Sequence, residues 1–586
     1  MGISGLNTFI VEFHVSERIS MPEEIEKWKV QNNGQVPTIL IDLKEAAQIF
    51  MRYGTGEMNV ALGGCFTYYR NRMIEFMKNF GETNAKMVFF MAGRKYTDDL
   101  EFFIQARESA YIQSLDVLDK IEGYSDYKEL EDAFRKKFQN FHCDFRMVST
   151  FEYNLERLVR RHGDFHVNYV KHNQVIARYA NEHADEVLAI ITNDTDFMAF
   201  EGDFQFWKAN DTNVTDMTCY RYCRRTLCDD LGLDFHQMKL LGALCGTKYL
   251  STHLVSDFLN GLASTNDDPI KIGKIWNVSA YIKQQPYEVV NNKPKFDLEH
   301  ISKDVFGSKY TPEQLNSIAN SLKIYDLDLV DDPEPNDSFL KKHNTFLYKL
   351  STGDTFCVID IEYIDFRNYT SKSYAELIMP ILMKMCGILF KDNIPRPEVR
   401  KICMKHAHDE PFKVTEEEIV YPPMELPELF DLIFKRREKH SDALHWSLLE
   451  WILDLNGDFM EKLRANNHSN KLSAVIITLK YFIQHGELST YEANAILITE
   501  YKIHRCGSSK FELHNVPNIH YIRIAHLYVK MYVVISHCLG ICGLRDMTNL
   551  IRFDGPVFLK TMEEFETTYD QQKQQLNAIG LDFFTN

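Results

Sequence analysis

Four short apolar runs, at 38–41, 86–91, 165–170 and 187–192, are set apart by long stretches with helical spacing. Runs of that length suit strands, and their alternation with helical segments predicts an α/β unit built on a mostly parallel central sheet. In such sheets the functional groups collect just beyond the carboxyl ends of the strands. Two of the runs end in acids. Asp42 follows Ile41 directly, and Asp194 and Asp196 follow the run that closes at Thr192. Carboxylates converging at strand ends are what phosphodiester cleavage requires, because two divalent cations about 4 Å apart need oxygen ligands to balance them. Three acids are a thin complement for that task.

The chain has 586 residues, room for roughly two to four domains. Its hydrophobic share of 45% and charged share of 25% exclude wholesale disorder. Lys plus Arg total 66 against 83 Asp plus Glu, a net charge of −17 that repels phosphate backbones unless cations are gathered locally. Twelve cysteines without a C-x-x-C pair read as reduced intracellular thiols rather than a disulfide scaffold. Cys219, Cys223, Cys228 and His236 lack the spacing of a common zinc site, so buried thiols are expected there and at Cys538 and Cys542. The N-terminus has no basic segment followed by an apolar run, so no secretory signal is expected. The apolar stretch 531–544 is shorter than the roughly 18 to 20 residues of a membrane helix and reads as a buried helix.

Thr311, Pro312 and Gln314 supply a helix start with a capping box, and Leu315, Ile318, Leu322 and Tyr325 continue one face. The acidic, proline-broken stretch that follows predicts a linker at 331–343. Residues 1–330 are expected to form the α/β domain, with its core ending at about 270 before a helical extension. Residues 344–586 are expected to form a mainly helical domain, strongly so from Leu444, with a short strand pair within 346–360. The stripe of Trp446, Leu448, Leu449, Trp451, Ile452 and Leu455 is wide enough to be packed rather than to bind a cofactor.

The opening Met1-Gly2-Ile3-Ser4-Gly5-Leu6, the strand ending at Asp42, the segment Thr192-Asn193-Asp194-Thr195-Asp196-Phe197 and the later Leu240-Leu241-Gly242-Ala243-Leu244-Cys245-Gly246 resemble the flap-endonuclease (PIN-like) superfamily in the right order. That resemblance places Asp42 at the family's first metal-binding Asp, and Asp194 and Asp196 at its paired Asp. The remaining acidic positions depart from the pattern. They fall on Ala92, on Asn173 and Val175, and on Lys248, which would bring an ammonium to a metal position. A nuclease with a reduced site would have to recruit another acid, such as Asp98, Asp99 or Asp164. The resemblance therefore implies a fold that binds no metal and catalyses nothing, with the three acids vestigial; Mg²⁺ or Mn²⁺ on Asp42, Asp194 and Asp196 belongs to the nuclease alternative.

A narrower resemblance rests on Val88-Phe89-Phe90 with Gly93, His300-Ile301-Ser302-Lys303-Asp304-Val305-Phe306, Val420-Tyr421-Pro422 and Phe553-Asp554-Gly555-Pro556-Val557-Phe558. In order and spacing these are similar to the constitutive coactivator of PPAR-gamma-like family. The resemblance implies a degenerate nuclease-like domain joined to a helical region, acting as an adaptor in RNA-associated, post-transcriptional gene regulation. Regulatory proteins are the expected partners and RNA a further one, with no small-molecule cofactor and no membrane. The expected location is the cytoplasm, RNA granules included, with a nuclear pool as the alternative that a transcriptional coactivator would need. Longer relatives in that family carry a basic tail implicated in RNA binding, which this sequence lacks through Asn586.

Two Arg-x-x-Arg-Arg segments would suit phosphate contacts if helical: Arg157, Arg160 and Arg161, and Arg221, Arg224 and Arg225, the second flanked by Tyr220 and Tyr222. A solvated face paired with acids is the competing reading. Lys435, Arg436, Arg437 and Lys439 read as an import signal or a plain helix surface, and 406–410 as a loop.

Overall fold

The computed structural model describes residues 2–13, 15–51, 61–92, 100–137, 148–168, 171–247, 249–262, 270–290, 293–329, 339–358, 372–406, 410–435, 442–465, 472–506, 513, 515–578 and 580–584. The chain divides into two compact units. The first is Met1–Phe50, Ile74–Arg94 and Val159–Pro335; the second is Met51–Met73, Lys95–Leu158 and Asn336–Asn586. The division is not contiguous, as a single boundary near residue 335 would make it. Segments 51–73 and 95–158, which follow two of the apolar strands, group with the C-terminal half. Of the expected linker, residues through 338 lie outside the described set, and Phe339–His343 is a helix whose Phe339 ring meets Phe430 and Phe434.

The first unit holds a seven-stranded sheet: β1 (Ser16–Ser20), β2 (Thr38–Asp42), β3 (Lys86–Ala92), β4 (Asp164–Asn168), β5 (Val187–Thr192), β6 (Gln205–Lys208) and β7 (Thr218–Tyr222). Their order across the sheet is β1-β7-β6-β5-β2-β3-β4. From β4 to β6 every pairing is parallel, and β7 runs against both of its neighbours. The four apolar runs are thus β2, β3, β4 and β5. Every residue of β2 and β5 is buried, as expected for strands covered on both faces. The chain leaves β2 toward β3 and β4 on one side and returns on the other to β5 and β6. The gap between β2 and β5 is therefore the point where the strand order reverses, the usual place for a ligand in a doubly wound sheet. A two-stranded hairpin, β8 (Tyr287–Val290) with β9 (Lys293–Phe296), and the Pro312–Lys323 helix with its Thr311–Gln314 capping box also belong to this unit.

The second unit is helical around the fully buried Ile519–Ile541 helix. By length and composition alone that helix could cross a membrane, yet here it lies inside the protein. It absorbs most of the apolar stretch 531–544 and carries buried polar groups: Arg523 pairs with Glu487 at 3.1 Å, and His526 Nε2 meets Ala61 O at 2.9 Å. A three-stranded sheet, β10 (Thr355–Cys357), β11 (Val399–Lys405) and β12 (Phe412–Glu418), completes the unit. The expected strand pair within 346–360 is corrected. Thr345–Ser351 is a helix, started by the Asn344 side chain accepting from Leu347 N, and only β10 is a strand. Its buried Leu347, Tyr348 and Leu350 fit a helical face better than the alternation of a strand.

The segment around Phe553 has a structural role. Phe66 N donates to Phe553 O at 3.0 Å, Thr67 N to Asp554 Oδ1 at 3.2 Å, and Gly555 N to Gly64 O at 2.7 Å. A Cβ on Gly555 would collide with Leu62 O and lie 2.9 Å from Gly63 Cα, so only glycine allows this approach. Asn154, 2% exposed, spans the preceding residue, donating to Ile551 O at 3.0 Å and accepting from Ile551 N at 2.8 Å.

Asn154→Ala leaves both main-chain groups of Ile551 buried without partners and should cost about 2–4 kcal/mol, read from urea unfolding. Buried Glu500 accepts from Tyr528 at 2.9 Å, and burial raises its pKa from 4.5 to about 7 against the weaker pull of that hydrogen bond. The folded chain then holds a proton on Glu500 that the unfolded chain releases, so this group lowers stability as pH rises from about 4.5 to 7. Relative to the parent, Glu500→Gln should gain on the order of 2–3 kcal/mol between pH 5 and pH 8.

Candidate functional site

Ile41 of β2 pairs with Ile191 of β5, which sets Thr192 beside Asp42 at the carboxyl ends of the two strands. The Thr192 hydroxyl joins the acids: Oγ1 donates to Asp42 Oδ2 at 3.0 Å and accepts from Asp194 N at 3.1 Å. Asp194 then caps the short turn Thr195–Met198, its Oδ1 accepting from Asp196 N at 3.1 Å. Gly2 packs against this turn. A Cβ there would collide with the Thr195 hydroxyl and lie 2.9 Å from Asp194 Oδ1.

The His172–Glu182 helix closes the cluster from the other side. His172 Nε2 lies 3.0 Å from Asp42 Oδ1, and its Nδ1 lies 3.4 Å from the Asn168 amide nitrogen at the end of β4. With an amide donor on Nδ1, the ring proton sits on Nε2 and is donated to Asp42. The next residue, Asn173, donates from Nδ2 to Asp194 Oδ2 at 2.9 Å. Lys44 N adds a third donor to Asp42 at 3.2 Å. Burial alone would raise the Asp42 pKa, but His172, then Lys44 and Thr192, outweigh it and hold the carboxyl below its ordinary value.

Asp196 has the opposite balance. Burial, then the neighbouring Asp194, push it up to about 7, while the Tyr325 hydroxyl, donating at 2.9 Å, works against the rise. Tyr325 is fully buried, and Gly242 makes room for it: a Cβ there would come 2.6 Å from its ring. The glycine of the Leu240–Gly246 segment thus serves a tyrosine beyond the Pro312–Lys323 helix.

These residues do not fit a pair of metal ions. The carboxylate oxygens of Asp42 and Asp194 accept hydrogen bonds from His172, Thr192, Lys44 N, Asn173 and Asp196 N. Asn173 presents N–H to Asp194 where a bridging glutamate would present oxygen. Ala92 ends β3 without a ligand atom, Val175 packs against the apolar core, and Lys248 lies outside the described residues. Among the described residues no group of three or more His, Cys, Asp and Glu could hold a metal ion. Asp98 and Asp99 also lie outside the described set. Asp164 opens β4, two strands from β2 and level through Val88 with Leu40 rather than with Asp42, and it pairs with Lys86 at 3.5 Å.

The arginine segments are not helical faces. Arg221 lies in β7, bound to Glu17 at 2.5 Å and Glu24 at 2.7 Å. Arg224 is buried, its guanidinium donating to Phe200 O and Gly202 O, which leaves Arg225 exposed. Arg157 is the last arginine of the Val148–Val159 helix and donates to Tyr153 Oη and to Thr548 Oγ1; Arg160, past its end, lies over the Phe165 ring, and Arg161 is exposed. Cys219, Cys228, Cys538 and Cys542 are buried free thiols, and His236 faces Glu201. Lys435 pairs with Asp431, and 436–440 and 407–409 lie outside the described residues.

The sequence locates the three acids but not His172, Thr192 or Tyr325 as their partners, nor Asn168 behind His172. The run Thr192-Asn193-Asp194 held a local signal; Tyr325, 129 positions from Asp196, held none.

His172→Ala should destabilise the chain by about 2–4 kcal/mol at pH 7, because it strips a donor from a buried charge. A depressed carboxyl pKa contributes stability above the unfolded value that is lost as pH falls through the folded one. The variant, with Asp42 less depressed, should therefore begin to lose stability at higher pH than the parent in an acid titration.

No family model matches the chain. Three curated proteins, each named constitutive coactivator of peroxisome proliferator-activated receptor gamma, are similar to it. The Bos taurus protein is 21% identical over 260 residues, 44% of this chain and 35% of that protein. The Homo sapiens protein is 21% identical over 281 residues, 47% and 29%, and the Mus musculus protein 22% identical over 291 residues, 48% and 35%. The match thus spans about a third of the length of those relatives. Among solved structures, the catalytic core of Rad2 in complex with DNA substrate covers 56% of this chain and 99% of that one, at 12% identity and a TM-score of 0.24, a score that carries no argument. By sequence, over nearly half its length, the chain resembles the constitutive coactivators of peroxisome proliferator-activated receptor gamma.

Proposed function

We propose that this chain is a non-catalytic adaptor whose nuclease-like sheet serves as a scaffold for protein partners in RNA-associated gene regulation. The observation that carries the reading is the set of protein donors on Asp42 and Asp194. A carboxylate already accepting from His172, Thr192 and Lys44 N gains little by exchanging them for a cation that must also shed its water. The amide of Asn173 makes the same argument at Asp194. No cofactor has a place in this reading.

The relatives' name favours a second reading, a coactivator that contacts transcription factors in the nucleus. Both readings are protein-binding roles, and they differ in the partners and the compartment. The RNA-associated reading rests on the family resemblance, and the arginine segments give it little support, since Arg221 and Arg224 are engaged within the fold.

Affinity purification of the full chain with and without RNase separates these possibilities. Partners of RNA-associated complexes that survive RNase are expected; recovery of receptor-associated nuclear proteins instead would favour the coactivator reading, and recovery of neither would sink the adaptor. In parallel, flap and single-stranded substrates with Mg²⁺ or Mn²⁺ should remain uncut. Cleavage that disappears in Asp194→Ala would overturn the non-catalytic reading.

A further inference from the structure

Two guanidinium groups of the second unit form no ion pair among the described residues. Arg70 lies on the Phe66–Glu82 helix, and Arg552 immediately precedes Phe553. Main-chain bonds bring them together: Thr67 Oγ1 donates to Arg552 O at 2.5 Å, and Phe66 N to Phe553 O at 3.0 Å. Arg70 follows Thr67 by three positions, so it projects from the same helix face. The Nε atoms of both arginines are enclosed with no hydrogen-bond partner, while both residues remain half-buried rather than sealed. Arg70 donates from Nη1 to its neighbour Asn71 at 3.1 Å.

Unpaired cations are unexpected in a chain with 83 acids against 66 Lys and Arg. Elsewhere enclosed guanidinium groups are met by oxygens, as with Arg523 on Glu487, Arg221 on Glu17 and Glu24, and Arg224 and Arg400 on main-chain carbonyls. Here two like charges are held close, and burial followed by the charge of Arg552 lowers the pKa of Arg70. Asp554 accepts from Thr67 N, and Glu500, whose pKa burial raises, accepts from Tyr528 and feels the Arg552 charge without forming an ion pair with it. Guanidinium forks with open N–H groups match the oxygens of a tetrahedral anion, and such an anion would remove their mutual repulsion.

We propose that Arg70 and Arg552 form a binding site for a phosphate group. The group is either a free or monoester phosphate or the phosphodiester of a single RNA strand, which present the same oxygens to the two forks. The site belongs to the second unit and does not depend on the adaptor reading, which concerns the acids of the first.

The test titrates inorganic phosphate, and separately a uridine oligonucleotide, into the full-length chain at constant ionic strength, following heat of binding and the thermal unfolding midpoint. The parent should bind phosphate and unfold at a higher temperature in its presence. Arg70→Ala and Arg552→Ala should each weaken binding by about tenfold or more, and Arg18→Ala, an exposed arginine of the first unit, should leave it unchanged. Without phosphate, Arg70→Ala should unfold at the same temperature as the parent or higher, since it relieves repulsion, so lost binding would not reflect lost folding. Arg70→Lys, which keeps the charge without the fork, should bind more weakly than the parent. Displacement of phosphate by the oligonucleotide would assign the site to a strand; phosphate binding without such competition would assign it to a free or monoester phosphate. Absence of binding of both probes to the parent, or equal binding by the parent and both alanine variants, would overturn the site.

Discussion

A carboxylate 1% exposed at the end of the central strand is tolerable only if its charge is met by donors, and Asp42 has three. They come from separate places: the residue after next along the chain, the end of the adjacent strand and the first residue of the His172–Glu182 helix. The cluster therefore exists only when β2 and β5 are in register and that helix is seated against them. Thr192 adds a further constraint, since the hydroxyl that binds Asp42 also positions the turn that carries Asp194 and Asp196. The arrangement holds the strand ends together by hydrogen bonds.

These donors set the balance of charge in the cluster. Asp42 stays ionised because its donors outweigh the cost of burial, whereas Asp196, beside Asp194 and with one tyrosine hydroxyl, is pushed up to about 7. One buried acid is thus charged and another is easily neutralised, which relieves the like-charge repulsion within the cluster. In the second unit the same rule operates with the opposite sign: Arg523 has Glu487 in an ion pair, while Arg70 and Arg552 have no ion pair among the described residues, and a phosphate group would meet that charge.

Much of the first unit could be read along the chain. The apolar runs became β2, β3, β4 and β5, and for β2, β3 and β5 the reason is that continuous burial on both faces of a parallel sheet leaves a direct trace in composition; β4, at the sheet edge, is buried only at its end. The helix start at Thr311 was legible because a capping box is a contact between near neighbours. The arginine segments misled for a related reason: spacing specifies a helix face only if there is a helix, and Arg221 lies in a strand paired with β1. Thr345–Ser351 was misread because a six- or seven-residue apolar segment satisfies either period, and the deciding cap was one side chain, Asn344.

By itself, the sequence determined the α/β class of the first unit, the helical character of the second, the positions of Asp42, Asp194 and Asp196, and the absence of acids at Ala92, Asn173 and Val175. These are local properties, set by periodicity and residue type. Tertiary structure decided what meets the acids and the arginines: His172 on Asp42, Asn173 on Asp194, Tyr325 on Asp196, and Arg552 beside Arg70. It also decided that segments 51–73 and 95–158 join the C-terminal half. Those partners are separated by as many as 482 positions along the chain (552 − 70), and hydrogen bonds and charge act over a few ångströms of space, which separation in sequence does not encode.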